Sequence, residues 1–280
     1  MSRRFPVSAL LAGALLLTGC SGAGGAASED TSEGAGGPTT SGTSAAPTPT
    51  PTETPTPSPE PEPLDGTVVA LDPGHNGGNA SHPDEATAPV PDGRGGTKAC
   101  NTTGTATGSD YPEHAFTWGV AEEVRERFED LGAEVVLSRE DDEGVGPCVD
   151  ERGRFAGDAG ADVLVSIHAN GTEDPGAAGF HMIVVEDSPH DGVGEPSRSL
   201  AEDMVGAFRD ADLSPNPAYG DDGIVARTDI AGLNHAEVPA VLVECGEMRN
   251  PDEAALMEST EGRERYAAAI VSGVEEFLRD

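Results

Sequence analysis

Apolar residues fall in two alternating rhythms from about position 67 to the end of the chain. TVVALD at 67–72 is a short, nearly unbroken apolar run that stops at Pro73-Gly74, which predicts a buried strand. Residues 74–110 are rich in Gly, Pro, Thr and Asp and read as one long loop. Over 111–132 the rhythm changes: Phe116, Val120, Val124 and Phe128 recur every four residues and Gly132 stands where a helix would stop. The same reading predicts strands over 133–138, 161–170, 179–186, 223–227 and 238–246. It predicts helices over 149–160 and 195–211, and one or two closing helices over 251–280. Strands separated by helices indicate a single α/β domain with a mixed or largely parallel central sheet flanked by helices. In such sheets the functional residues gather beyond the carboxyl ends of the strands.

The first sixty residues follow neither rhythm. Arg3 and Arg4 precede VSALLAGALLL, an apolar stretch too short to span a membrane as a helix, and LTGC ends in Cys20. The run resembles the lipobox of bacterial lipoproteins, which implies a leader over 1–19 and a lipid on Cys20. Residues 20–63 are Gly/Ala/Ser-rich and then Pro/Thr-rich, a composition that buries too little apolar surface to fold. They read as a tether that holds a domain over 64–280 away from a membrane. The expected location is the outer face of the cell membrane or the cell wall, with the lipid as the only membrane contact.

Formal net charge is −35, and Lys98 is the only lysine. Phosphate contacts need clustered Lys and Arg, so nucleic acid is excluded as a partner. With Cys20 set aside, Cys100 and Cys148 lie in polar loops and Cys245 follows an apolar run. No C-x-x-C pair is present. A Cys100–Cys148 disulfide and a buried free thiol at Cys245 are expected of an exported protein.

Three titratable residues end apolar strands: His75 just past 67–72, His168 in VLVSIH and Glu244 in AVLVE. Glu113 opens the long helix, where acids are common for the helix dipole alone, but it shares the stripe of Phe116 and Val120. Glu244 is the strongest candidate for proton transfer, because a carboxylate at a partly dry strand end gains a raised pKa. His235 in GLNHAEVP is a candidate to support the site from behind. His82 and His190 fall in polar loops, His114 points away around its helix, and His181 is read as a solvent-facing strand residue. Two histidines and a carboxylate are a recurrent ligand set for catalytic zinc, with the fourth position left to water. No G-x-S-x-G elbow competes with that reading. The residues themselves point to a zinc hydrolase of open substrate.

Together VALDPGHNGG, a glutamate opening the first long helix, GAEVVLSREDD, DERGRFA, ADVLVSIHAN and VPAVLVECGEMRNPDE resemble the zinc-dependent N-acetylmuramoyl-L-alanine amidases of the Amidase_3 type, in family order across nearly all of 64–280. The resemblance implies Zn2+ held by His75, Glu113 and His168, with Glu244 as catalytic residue. It implies peptidoglycan or muropeptides as partner, a monomer, and hydrolysis of the amide between N-acetylmuramic acid and L-alanine. After Glu244 the family commonly has Gly-Phe, whereas this chain has Cys245-Gly246-Glu247-Met248. Two readings stay open beside it: a zinc amidase or peptidase acting on another bond, and a non-catalytic wall-binding regulator with the same fold. A solute-binding lipoprotein needs two comparable lobes, which about 215 residues in this strand order do not offer.

Overall fold

The sheet is built around β1 (Val68–Pro73), whose residues are buried from Val69 onward. The computed structural model describes residues 62–220 and 222–279. The leader expected over 1–19, Cys20 and the tether as far as residue 61 lie outside the described residues. After β1 the chain forms α1 (Pro83–Ala86), the two-stranded ribbon β2 (Pro89–Pro91) and β3 (Thr97–Ala99), then α2 (Glu113–Asp130) and β4 (Glu134–Leu137). Next come α3 (Val149–Asp158), β5 (Val163–Asn170), β6 (His181–Val185), α4 (Gly194–Asp210), β7 (Ile224–Arg227) and α5 (Ala231–His235). The chain closes with β8 (Ala240–Glu247), α6 (Pro251–Glu258) and α7 (Thr260–Arg279). The long loop of the sequence reading thus contains a short ribbon and a helical turn, and α5 is an additional element. Both are too short to carry a hydrophobic period. Among the described residues no helix is long and apolar enough to cross a membrane.

Strand order in the six-stranded sheet is β4-β1-β5-β8-β6-β7. The first four strands are parallel; β6 runs against β8, and β7 runs with β6. This is a single α/β domain with a mostly parallel sheet. Helices cover both faces, so β1, β5 and β8 read as continuous apolar runs rather than alternating ones. On one face Phe116, Val124 and Phe128 of α2, Leu200 and Phe208 of α4, and Tyr266 and Ile270 of α7 pack on Val69, Leu71, Val165 and Val243. Phe116 and Tyr266 meet edge to face, with ring centroids 5.6 Å apart. The opposite layer is thinner. Ala156 of α3 and Leu233 of α5 cover Ala70, Leu164, Ile183 and Leu242.

On that thinner face the strand ends turn polar. Asp72 is buried at the end of β1, receiving Arg152 Nη1 at 2.7 Å, Ser138 Oγ at 2.6 Å and Ser166 Oγ at 2.7 Å. Burial raises its pKa, but Arg152 and the two hydroxyls outweigh that and hold the carboxyl below its ordinary range. Arg152 also donates to Pro73 O and, at 2.6 Å, to His75 O. Arg139 donates to Pro73 O from the other side. Two buried guanidinium groups therefore fix the backbone where β1 delivers its histidine.

Candidate metal centre and its flanking acid

Beyond Pro73 the chain makes a tight departure at Gly74 and His75. A Cβ on Gly74 would lie 2.3 Å from Cε1 of His168, so only glycine lets the two strand ends close on each other. His75 has φ 60°, a left-handed conformation unfavourable to a side chain and of the kind that persists where the surroundings enforce it. Arg152, holding the His75 carbonyl, supplies part of that enforcement.

His75 Nε2 and His168 Nδ1 each lie 3.0 Å from Oε1 of Glu113. One ligand atom from each of the three residues lies within 4.8 Å of the others. Their imidazole rings stand edge to face, with centroids 4.8 Å apart and planes at 83°. Glu113 reaches this place because α2 begins at it, directly after Pro112, and Thr105 N donates to its Oε2 at 2.9 Å. Ala169 N donates to Oε1 at 3.1 Å. Thr102 O accepts from His75 Nδ1 at 3.1 Å, which selects the tautomer that leaves Nε2 free to ligate. Gly104, at φ 72°, passes so close that a Cβ there would meet Glu113 Oε2 at 2.7 Å and His75 Cδ2 at 2.8 Å. Thr102 and Gly104 follow closely on Cys100, which a disulfide joins to Cys148 at the N-terminus of α3. The covalent tie anchors the loop that shapes the cluster.

The donor set fits a divalent cation. Two imidazole nitrogens and a carboxylate oxygen converge within ligating reach of one point. Burial alone would raise Glu113, but His75 and His168 outweigh it and hold its carboxyl far below the usual range. Burial lowers His75, the Glu113 carboxylate more than offsets this, and the net shift is upward. The site strongly favours positive charge, and a metal supplies it in place of protons. Nitrogen and carboxylate ligands suit zinc better than magnesium or calcium.

Glu244 stands beside the cluster: in the β5–β8 register it is the partner of His168. Its Oε2 is buried and has no hydrogen-bond partner. Burial, then the charges of Glu113 and Glu247, push its pKa well above the ordinary carboxylate value, against an opposing pull from Arg227. Between His168 and Asn170 the register shifts, and Asn170 pairs with Glu247. This β-bulge brings Glu247 to the face of Glu244, where an unbroken alternation would have turned it away.

The structure brings His75, Glu113, His168 and Glu244 together. It does not bring in His235, whose Nε2 pairs with Pro91 O of the ribbon at 3.1 Å. Leu233 and Asn234 bury the interior side of the short α5, leaving that histidine to the β2 ribbon. His114 bonds Asp142 Oδ2 at 2.7 Å, away from the cluster. Cys245 is a buried free thiol raised far above its usual pKa by burial, which leaves it unreactive as a nucleophile. His181 departs from the sequence reading: it is 3 % exposed and opposite Glu244. Because β6 runs in reverse, its first residue, not its last, lies at the edge carrying the cluster.

An α/β sheet with a His-Glu-His cluster and an unpartnered acid at its carboxyl edge defines the class as a candidate metal-dependent hydrolase. Comparison with known proteins makes it specific. The model of the Amidase_3 family, N-acetylmuramoyl-L-alanine amidase, matches residues 69–276, so the chain belongs to that family. The N-acetylmuramoyl-L-alanine amidase Rv3717 of Mycobacterium tuberculosis is 43% identical over 215 residues, covering 77% of this chain and 88% of the relative. The crystal structure of the N-acetylmuramyl-L-alanine amidase Ami1 from Mycobacterium smegmatis matches with a TM-score of 0.74 and 44% identity, covering 77% of this chain and 98% of that one. The apo form of Ami1 from Mycobacterium abscessus gives 0.73 and 43%, covering 77% and 100%.

Proposed function

We propose that the chain is a zinc-dependent peptidoglycan amidase that hydrolyses the bond between the lactyl group of N-acetylmuramic acid and L-alanine of the stem peptide. The observation that carries this reading is the convergence of His75 Nε2, Glu113 Oε1 and His168 Nδ1 beside Glu244, whose Oε2 is buried without a partner. Membership of the amidase family supports the choice of bond. His75, Glu113 and His168 would hold the ion. Zinc, when bound, supplies a Lewis acid that acidifies water and polarises a carbonyl.

The remaining work falls to the chain. Glu244, as carboxylate, takes a proton from the attacking water while the oxygen adds to the lactyl carbonyl carbon. As the C–N bond breaks it returns that proton to the alanyl nitrogen, which leaves as a free amine. The raised pKa of Glu244 suits both halves, since a strongly acidic carboxyl would be a poor base. A cavity of about 80 Å³ opens beside the two histidines, lined also by Asp72, Thr102, Arg152 and Leu242.

Incubating the zinc-loaded chain with a purified muramyl tripeptide and weighing the products by mass spectrometry tests this. The expected products are the intact sugar with a free lactyl carboxylate and a tripeptide with a free alanyl amine. Cleavage within the peptide, or none, contradicts it.

The leader and LTGC support an exported, lipid-anchored form, with residues up to 63 as tether. Feeding cells a labelled fatty acid is expected to label the full chain and not its Cys20→Ala variant. Equal labelling removes the anchor.

A further inference from the structure

His181 opens β6 and lies directly opposite Glu244 of β8 in the antiparallel register. Opposed residues of such a pair present their side chains to the same face, with Cβ atoms about 5 Å apart. Glu244 therefore has an imidazole on either side, His168 on β5 and His181 on β6. Two features of this row lack a cause in the mechanism so far. His181 Nδ1 is buried with no hydrogen-bond partner, and so is Glu244 Oε2. Other buried side-chain atoms without partners occur among the described residues, but only these two belong to residues paired across the sheet. Buried polar atoms without partners are costly, so a facing pair of them calls for an explanation.

One face of the imidazole is braced. Its ring stacks on Tyr219, with centroids 4.0 Å apart and planes at 11°. The Tyr219 hydroxyl accepts from Asn170 Nδ2 at 2.8 Å, and the same nitrogen donates to Glu247 Oε1 at 2.7 Å. Asn216 Nδ2 donates to that oxygen at 2.9 Å and Thr172 N to Oε2 at 3.2 Å. Glu247 is fully buried, and no ion pair to it is found among the described residues. The bulge in β8 thus places a buried carboxylate where it can pin Asn170, and through it the aromatic ring under His181.

We propose that His181 is the positioning residue of Glu244: the two side chains face each other unbonded here, and in the working site Glu244 turns so that His181 Nδ1–H donates to its Oε2, leaving Oε1 to carry the proton between water and the alanyl nitrogen. The imidazole is not consumed and no net proton is exchanged with it. Burial, with the Arg227 charge adding to it, pushes His181 down to about 4, so the ring stays neutral with one donor and one acceptor. The inference rests on the reading of Glu244 as proton carrier.

The test is a double-mutant cycle on the full zinc-loaded chain with muramyl tripeptide as substrate. His181→Phe keeps the stack on Tyr219 and removes the nitrogen. It is expected to lower kcat by about 30- to 100-fold, the scale of a misplaced catalytic group, with KM and zinc content within about twofold. His181→Asn, which returns a polar atom near Nδ1, is expected to recover part of the loss. In a Glu244→Gln background His181→Phe is expected to cost little more, because both changes strike one unit. Unchanged kcat in His181→Phe, or full multiplication of the two effects, overturns the proposal. Full turnover by Glu244→Gln alone overturns the reading beneath it instead. Should His181→Phe not fold, 15N NMR of the folded chain decides: the Nδ1 signal of His181 is expected to shift on Glu244→Gln, and an unmoved signal overturns the proposal.

Discussion

Glu244→Gln is expected to reduce kcat for amide cleavage by about 10³-fold, within the range that a positioned acid–base group supplies, while bound zinc and KM change little. Glutamine keeps the shape and the position opposite His168, so the cluster of His75, Glu113 and His168 is undisturbed. What it loses is the capacity to take up a proton. Glu244 lies at the dry end of a strand, with its Oε2 buried and unpartnered. Burial and two neighbouring carboxylates hold its pKa high, a costly arrangement for a merely structural side chain. Steady-state kinetics with zinc quantified in the same samples checks this. A variant that keeps its zinc and turns over normally would remove Glu244 from the reaction.

Glu113→Ala is expected to lower zinc affinity by at least about 100-fold, since loss of even the groups that orient ligands costs about 10- to 100-fold. Glu113 is the one anionic member of the cluster and the common partner of both imidazoles. Its removal also strands the donors on Thr105 N and Ala169 N. Activity at micromolar zinc should disappear. Thermal melting offers a second readout, because a ligand bound only by the folded state stabilises it by about 4 kcal/mol at a thousandfold excess over Kd. Zinc should raise the melting temperature of the native chain clearly more than that of Glu113→Ala, in which a site weakened a hundredfold gains only about 1.4 kcal/mol at the same zinc concentration. Equal shifts in both would place the ion elsewhere.

What was legible in the sequence follows from strand direction. His75, His168 and Glu244 stand out because β1, β5 and β8 all run the same way and each apolar run ends in a titratable residue. The rule misleads at His181, which begins a reversed strand and so reaches the same edge from the other end. A mixed sheet was among the expectations, but which strand reverses depends on pairing, which no local pattern records. Glu247 escaped for a different reason. Strict alternation turns a residue three positions after Glu244 to the opposite face, and only the bulge at the β5–β8 register restores it. Gly246, inside the apolar run, was the available signal. Thr102 meets His75 Nδ1 through both its backbone carbonyl and its hydroxyl, from a loop whose course no local pattern records. The helical pattern of 111–132 was plain, and Glu113 stood out on its buried stripe and through the family resemblance, whereas the loop through Gly104 and Thr105 that wraps it carried no local signal.

The most direct test of the metal-dependent assignment is a zinc titration of the chelated chain, following muramyl tripeptide cleavage against metal added. Cleavage is expected to be absent in the stripped chain and to rise linearly to a plateau at one equivalent, as a single tight metal site requires. His168→Ala should show no such rise. Full cleavage by the stripped chain, or the same titration in His168→Ala, would contradict the assignment of the metal to this cluster.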